Sequence, residues 1–276
     1  MIRERVFNPN VSFKARARQL VNAILIPVLA RPLRLTHVVE HPKSGASWIR
    51  NMIRSYLGSE LYLADRLPFR DAVIHTHRLY RRSYYRPVVV VRDVRDLYVS
   101  FYHHEMHYED REKHLTIQKY FKHDPKRPVD EDFAEYLEAR LLHRNHPWFY
   151  YSQFLDAWLN RPAVCVVRYE DFLSEPETQL VRVIRFLNRP LNLEKIEEAV
   201  RVNSFAHQTK VRYGEARERG TTDNTKVLRK GVAGDWKNHF NRRSCELLER
   251  IEGPSLRRLG YEEDAGWVER YLESGS

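Results

Sequence analysis

The amino-acid sequence predicts an α/β protein, a three-layer α/β/α sandwich built around a central, mainly parallel sheet. Two observations support this prediction: apolar strand-like runs alternate with helix-like segments, and two of those runs are β-branched without polar alternation. Strands of that kind are typically buried on both faces, as in parallel sheets. Strands that alternate with helices in chain order form right-handed crossover units.

The predicted elements follow one another without an internal repeat or a low-complexity linker. The strand-like runs are LRLTHVVE at 33–40, AVIHT at 72–76, PVVVVRD at 87–93 and AVCVVRYED at 163–171. Apolar residues at helical spacing predict helices at 48–57, 95–107, 148–159 and 175–188. The whole chain, 1–276, is therefore predicted to form one domain.

Composition limits the class of protein and its partners. Of the 276 residues, 42% are hydrophobic and 12% aromatic, enough to build a substantial core. Lysine and arginine number 47 against 37 acidic residues, so the net charge of +10 favours anionic partners. Cys165 and Cys245 lie far apart and fit neither a disulfide framework nor a zinc spacing, which favours a reduced, cytoplasmic setting.

Residues 1–32 form a basic, amphipathic segment with more than one interpretation. Lys14, Arg16 and Arg18 precede an apolar run at 20–30, the layout of a short signal peptide. The run is shorter than the about 20 apolar residues that a bilayer span needs. A helix that covers the core is the favoured interpretation, and a helix that contacts anionic lipid is the alternative.

Two long polar stretches interrupt the alternating pattern. They lie at 108–130 and 208–228, and the second is rich in glycine and threonine. Loops of this length in a compact domain are often lids or binding loops. Both are candidates to cover a substrate, and 208–228 is predicted to be mobile.

The loop HPKSGASW, residues 41–48, stands between the first strand and the first helix. Backbone N–H groups and the positive end of a helix dipole meet at such a turn, and anions bind there. Gly45 allows the backbone to approach a ligand closely, and Lys43 adds a mobile charge. The second glycine of a Walker A loop, G-x-x-x-x-G-K-[ST], is missing, which disfavours a nucleoside triphosphate.

Two further basic sites accompany this loop. Arg92 leaves the third strand, and Ser100 follows about two helical turns later, so a guanidinium and a hydroxyl can converge on a phosphate. Near the C-terminus, LRKGVAGDW sets Arg229 and Lys230 before Gly231, a small basic nest. Three separate basic sites indicate a ligand with more than one anionic group.

These motifs resemble those of the cytosolic sulfotransferases that use 3′-phosphoadenylyl sulfate (PAPS), whose fold is related to that of nucleotide kinases. HPKSGASW is similar to their 5′-phosphosulfate loop, PKSGTTW, and VVRDVRDLYVSFYHH to their 3′-phosphate motif, R-x-x-x-D-x-x-x-S. RKGVAGDWKNHF is close to their RKGxxGDWKN signature, and VRYEDFLSEP matches their YED segment. The motifs follow the family order from residue 35 to about 240.

The resemblance implies a role for each matching position. The 5′-phosphosulfate would be bound by Lys43, Ser44, Gly45, Ala46 and Ser47. The 3′-phosphate would be bound by Arg92, Ser100, Arg229, Lys230 and Gly231. The adenine would lie among Trp48, Phe205 and Tyr169.

The resemblance also implies the catalytic groups. Thr76-His77 matches the family's catalytic T-H pair, and an imidazole that titrates near neutrality suits a general base. His75 stands where the family usually has lysine, and it could steady the sulfuryl group only when protonated. Lys43 would stabilise charge on the bridging oxygen of PAPS.

The implied reaction is in-line transfer of the sulfuryl group from PAPS to an acceptor hydroxyl or amine, without a required metal. The other product is adenosine 3′,5′-bisphosphate (PAP). The implied acceptor is a small molecule, a lipid or a carbohydrate rather than a nucleic acid.

Other functions stay open at this stage. A nucleotide or small-molecule kinase of related fold is disfavoured by the missing glycines and the lack of an evident magnesium carboxylate. A non-catalytic relative that holds nucleotide or glycan is kept open by His75. His103 and His107 are one helical turn apart and could coordinate zinc, although a solvated helix is favoured there.

Overall fold

The protein is described by a computed structural model that covers residues 21, 24–59, 70–107, 117, 119–143, 147–209 and 230–274. The strands are β1 (Thr36–Glu40), β2 (Val73–Thr76), β3 (Val88–Val91) and β4 (Cys165–Arg168). The helices are α1 (Ala46–Leu57), α2 (Val94–His107), α3 (Val129–Leu142), α4 (Tyr151–Trp158), α5 (Tyr169–Ser174), α6 (Pro176–Phe186), α7 (Leu193–Asn203), α8 (Phe205–Thr209), α9 (Arg242–Arg258) and α10 (Trp267–Ser274). A 3-10 helix, Asp235–Asn238, precedes α9.

The strands form one sheet in the order β2-β1-β3-β4, and every pair is parallel. In the register of this sheet, Val38 of β1 lies between His75 of β2 and Val88 of β3. All four strands therefore end at the same edge, and the loops that follow them meet there. The predicted parallel sheet is confirmed.

Both faces of the sheet are buried, as the unbroken β-branched runs predicted. Val38 and Val88 belong to a core cluster with residues of α1, α6 and α7. Val39 and Val89, the next residues along the strands, belong to a second cluster with residues of α2, α3, α4 and α9. Successive strand side chains point to opposite faces, so the two clusters are the two interfaces of the predicted three-layer sandwich.

The fourth predicted strand was too long. The prediction ran to residue 171, but β4 ends at Arg168 and α5 begins at Tyr169. Glu170 and Asp171 lie in the first turn of α5, where negative charge is favourable. The apolar run alone did not reveal that its last three residues start a helix.

Both cysteine thiols are buried and free. Burial raises the pKa of the Cys165 thiol, and it raises the pKa of Cys245 to about 12. Neither thiol is therefore a thiolate at neutral pH.

Parts of three predicted segments lie outside the described residues. These parts are most of the loop at 208–228, most of the basic segment at 1–32, and residues 108–116 and 118 of the loop at 108–130. Within the described ranges, no helix combines the length and the apolar character needed to cross a bilayer.

Candidate active site

The loop that follows β1 turns through left-handed backbone conformations into α1. Lys43 has φ +75° and Gly45 has φ +92°. A Cβ atom added to Gly45 would lie 2.4 Å from a ring carbon of Tyr169. Glycine is required here both by the backbone conformation and by the close approach of that ring, whose residue begins α5.

Two of the predicted phosphosulfate groups already have partners inside the protein. The buried Ser44 hydroxyl donates a hydrogen bond to the carbonyl of His41, 2.8 Å away. The Ala46 N–H, at the start of α1, donates to Oε2 of Glu40 at 2.8 Å. Ser44 therefore braces the turn, and a carboxylate of the chain itself occupies one N–H at the helix N-terminus. Ser47 is half-buried in the same turn of α1.

Glu40, the last residue of β1, is the centre of a network that the sequence analysis missed. Its Oε1 lies 2.9 Å from Nε2 of His75 and 3.8 Å from Nδ1 of His77. Burial by itself would raise the pKa of Glu40, but the hydrogen bond from His75, the electrostatic attraction of the His75 and His77 rings and the hydrogen bond from the Ala46 N–H together lower it to about 2. Glu40 is thus a buried carboxylate that stays ionised.

The neighbours of His75 determine its tautomer. Its Nδ1 lies 3.3 Å from a guanidinium nitrogen of Arg50, and its Nε2 faces the Glu40 carboxylate. A guanidinium only donates hydrogen bonds and an ionised carboxylate only accepts them. His75 therefore carries its proton on Nε2 and accepts on Nδ1, so this geometry holds a neutral ring. The positive charge next to it belongs to Arg50, another residue missed by the sequence analysis.

His77 follows β2 at the edge of the sheet where the loop after β1 also lies. Its side chain is 36% exposed, against 5% for Glu40, so it reaches solvent from a buried network. Its ring centroid lies 4.7 Å from that of His75. The predicted general base is thus beside the predicted phosphosulfate loop and next to a buried negative charge.

Arg92 brings three of the sequence motifs together. Its guanidinium donates to the carbonyl of Lys43 at 3.2 Å and to the carbonyl of Val232 at 3.5 Å, and it lies 4.4 Å from the ring centre of Tyr169. Burial opposes its charge, but Tyr169 and the carboxylates of Asp96 and other neighbours raise the pKa of Arg92. A charged guanidinium therefore stands between the loop, the YED segment and the C-terminal motif.

Asp96, the acidic position of the 3′-phosphate motif, attaches α2 to the C-terminal motif. It accepts hydrogen bonds from the N–H groups of Gly234 at 2.6 Å and Trp236 at 2.9 Å. Burial raises the pKa of Asp96 to about 6. No role for Asp96 was predicted from the sequence, and its contacts show that it fixes the segment that carries Lys230.

The remaining residues predicted to bind the 3′-phosphate are only partly described. Ser100 is half-buried on α2, and Lys230 forms an ion pair with Asp235 at 2.8 Å. Gly231 has φ +70°, and a Cβ added to it would lie 2.9 Å from the Phe205 ring. Arg229 lies outside the described residues.

The predicted adenine residues are linked to one another through α1 and α7. The Trp48 indole N–H donates to the carbonyl of Asn203 at 2.7 Å, two residues before Phe205. The Trp48 and Tyr169 ring centroids are 5.8 Å apart, and their planes cross at 71°. Phe205 is buried against Gly231. The three rings thus belong to one region beside the loop.

The candidate zinc pair indicated by sequence spacing, His103 and His107, is described for the His103 side chain only. Nε2 of His103 lies 2.8 Å from Nε2 of His239, which follows the 3-10 helix. The side chain of His107 lies outside the described residues. The described partner of His103 is therefore remote in sequence.

Comparison with known proteins gives one family. Residues 72–260, more than half of the chain, match the family described as "Sulfotransferase domain". The match begins after the loop at 41–48, so it is independent of the motif that first indicated an anion site.

Curated relatives extend the similarity. The chain is 23% identical over 247 residues to a 3-beta-hydroxysteroid sulfotransferase of Cavia porcellus, covering 78% of this chain and 81% of the relative. It is 25% identical over 184 residues to a flavonol sulfotransferase-like protein of Flaveria bidentis, covering 63% and 55% of the two chains.

Solved structures share the fold. A mouse sulfotransferase complexed with PAP superposes with a TM-score of 0.60 at 19% identity, over 92% of this chain and 96% of the other. A retinol dehydratase in complex with androsterone and PAP gives a TM-score of 0.57 at 18% identity, over 87% and 86%.

Proposed function

The chain belongs to the sulfotransferase family, and from that premise we propose that it transfers the sulfuryl group of PAPS to a hydroxyl of a small-molecule acceptor and releases PAP. The observation that carries the proposal is the convergence on Arg92. This one guanidinium contacts the loop at Lys43 and the C-terminal motif at Val232, while His77 lies at the same edge of the sheet.

The donor would bind across this convergence. Lys43 and the half-buried Ser47 are assigned to the phosphosulfate, and Gly45 to the close approach of the backbone. Arg92 and Lys230 are assigned to the 3′-phosphate, because fixed cations suit a second anionic group. Ser100, Arg229 and Gly231 keep their predicted place at the same phosphate.

The other predicted contacts with the donor are assigned by their neighbours. Ser44 and Ala46 act mainly within the chain, through His41 and Glu40. Trp48, Tyr169 and Phe205 are assigned to the adenine, which aromatic faces bind by stacking.

His77 is assigned the role of general base, which takes the proton of the acceptor hydroxyl. As the acceptor oxygen forms its bond to sulfur, the bridging oxygen–sulfur bond breaks and its electron pair stays on the phosphate of PAP. The acceptor proton passes to His77, and the imidazolium that forms lies 3.8 Å from the buried Glu40 carboxylate. Lys43 stabilises the charge on the leaving phosphate.

His75 is assigned to hold the network rather than to supply charge. Its Nε2–H donates to Glu40, and Arg50 donates to its Nδ1. Arg50 then provides the positive charge in this position, where related enzymes usually have lysine.

The acceptor is proposed to be a small molecule with a hydroxyl group. The named relatives are a hydroxysteroid sulfotransferase and a flavonol sulfotransferase-like protein, which supports an apolar ring system that carries a hydroxyl. Lipid and carbohydrate acceptors, and contact of residues 1–32 with a membrane, remain predictions.

Transfer of ³⁵S from labelled PAPS to an acceptor distinguishes an active sulfotransferase from a relative that only binds the nucleotide. ³⁵S-PAPS is incubated with pooled steroids, flavonols and sugars, and PAP binding is measured by calorimetry. We expect Lys43→Ala to weaken PAP binding and transfer together. His77→Ala should keep PAP binding and lower the transfer rate by about 10²–10⁴-fold.

The matched control is His104→Ala, which removes a half-buried imidazole from α2. PAP binding without transfer to any acceptor would overturn the enzymatic function. Unchanged transfer in His77→Ala would overturn the assigned base alone.

A further inference from the structure

A second cluster of two histidines and a carboxylate lies where α2 meets the C-terminal motif. It consists of His103 on α2, Asp235 in the 3-10 helix and His239 just after it. Their ligand atoms all lie within 4.8 Å of one another, and the two imidazole Nε2 atoms are 2.8 Å apart. Asp235 and His239 are buried, and His103 is half-buried.

The proton positions in this cluster follow from the acceptors around it. Nδ1 of His239 lies 3.0 Å from the carbonyl oxygen of Asp235, which can only accept a hydrogen bond. His239 therefore carries a proton on Nδ1. The contact at 2.8 Å between the two Nε2 atoms needs a proton on one of them and a lone pair on the other. Two imidazole nitrogens thus share a single proton.

We propose that this cluster binds a divalent transition-metal ion of the zinc class, with His103, Asp235 and His239 as ligands. Neutral imidazole and carboxylate are ligands that zinc accepts. With zinc–nitrogen bonds of about 2.0–2.1 Å and a tetrahedral angle, the two nitrogens would stand roughly 3.3 Å apart. When the ion replaces the shared proton, which is released to solvent, the two nitrogens need to separate by about half an ångström and the rings to tilt until both lone pairs point at the ion.

The surroundings of the cluster resemble those of established zinc sites in two respects. The Nδ1–H of His239 donates to a backbone carbonyl, the usual outer contact of a metal-bound histidine, and it fixes the ring orientation. The half-buried His103 leaves one side of the cluster near solvent, where water can complete the coordination.

Lys230 is the competitor for this site. Its Nζ lies 2.8 Å from Oδ1 of Asp235, which also accepts from the side-chain amide of Asn238. A bound ion would share the Asp235 carboxylate with the ammonium group and weaken their pairing. Metal affinity should therefore rise when this lysine loses its charge, as in Lys230→Met.

The test measures zinc binding by untagged, chelator-treated protein in the absence of nucleotide. We expect one zinc ion per chain by calorimetry, and Co²⁺ in the same site should give the absorption of a tetrahedral complex. His103→Gln and His239→Gln should each lower the affinity by at least about tenfold. His104→Gln, on the neighbouring position of α2, should bind zinc like the wild type.

Several outcomes would overturn the proposal. Wild-type protein that takes up no zinc equivalent would do so, and so would equal binding by wild type and His103→Gln. Loss of zinc binding in His75→Gln but not in His103→Gln would show that the ion binds at Glu40, His75 and His77 instead. If circular dichroism shows that His239→Gln, a substitution at a buried position, unfolds the protein, the zinc affinity of His103→Gln, at a half-buried position, is the deciding measurement. Because no PAPS is present, failure of the proposed function leaves this result unaffected.

Discussion

Within the described residues, two clusters combine a pair of histidines with one carboxylate, and they use these groups in different ways. In the Glu40 cluster, the carboxylate accepts from the Ala46 N–H and from His75, and Arg50 contacts the other nitrogen of that ring. In the Asp235 cluster, two imidazole nitrogens face each other across 2.8 Å.

The difference lies in which group the neighbouring cation contacts rather than in the ligand set: Arg50 contacts an imidazole nitrogen of the Glu40 cluster, whereas Lys230 pairs with the carboxylate of the Asp235 cluster. Around Glu40, the Arg50 guanidinium and the carboxylate contact the two ring nitrogens of His75, and the Ala46 N–H at the helix N-terminus donates to the other oxygen of Glu40. That arrangement suits proton transfer at His77. Around Asp235, a shared proton can be exchanged for a cation. The same residue types are therefore proposed to form a catalytic network in one place and a metal site in the other.

Removing the negative charge from the Glu40 cluster should have the largest effect. In Glu40→Gln, the hydrogen bonds of the Ala46 N–H and His75 lose their charged acceptor. We expect the free energy of unfolding to fall by about 1.5–3 kcal/mol. Sulfuryl transfer should slow by roughly ten- to a hundredfold, because a similar energy is lost as the imidazolium forms. Urea unfolding and initial rates measure the two effects.

The control for this change is Glu198→Gln on the exposed surface of α7, which removes only a surface ion pair with Arg201 and should leave the rate unchanged and the free energy of unfolding within about 1 kcal/mol. Zinc binding at the Asp235 cluster should also be unchanged by Glu40→Gln. If Glu40→Gln had the stability and the transfer rate of the wild type, the negative charge of Glu40 would contribute to neither.

His41 is a third kind of histidine environment, a buried imidazole whose neighbours are aromatic rings rather than a carboxylate. Burial, with a smaller contribution from the charge of Arg140, lowers the pKa of His41 from 6.5 to about 3. Between those values the unfolded chain binds a proton here that the folded protein does not, so stability falls as the pH falls. The enclosing rings are Phe101, Phe149, Tyr151 and Phe154.

His41→Gln should therefore make stability less dependent on pH. The slope of the unfolding free energy against pH, measured with urea from pH 7 to 4.5, should decrease by up to about 1.4 kcal/mol per pH unit. An unchanged slope would mean that His41 binds its proton equally in both states.

The smallest effect is expected for His75→Gln. A glutamine amide can donate to Glu40 and accept from Arg50, as the neutral imidazole does. The rate of sulfuryl transfer should stay within about threefold of the wild type. A loss of tenfold or more, recovered in His75→Lys, would instead show that a positive charge is needed at this position.

Local sequence signals predicted much of the fold. The β-branched runs at 87–93 and 163–171 predicted strands buried on both faces of a parallel sheet. The sheet direction and β3 agree with this, whereas β4, at the edge of the sheet, alternates buried and half-buried residues. The end of β4 was missed because Tyr169, Glu170 and Asp171 begin α5. Tyr169 is buried there, and the two acidic side chains lie in the first turn of the helix. A local pattern does not contain that information.

The candidate site was predictable only where residues fit a motif. Glu40 and Arg50 were missed because they meet His75 only in the folded protein. The pairing of β1 with β2 brings Glu40 next to His75 across 35 positions, and α1 brings Arg50 next to it across 25 positions. His103 and His239 are separated by 136 positions. The signal that was available for Glu40 is a charged residue at the end of a buried strand, directly before the loop.

The two buried cysteines have a practical consequence for labelling. Both thiols are inside the core and neither ionises near neutral pH, so maleimide reagents should find no background target in the native protein. A cysteine introduced as Ser47→Cys would then be a unique reactive group in the nucleotide loop. Its alkylation rate would report nucleotide occupancy by fluorescence, without a radioactive donor or a known acceptor.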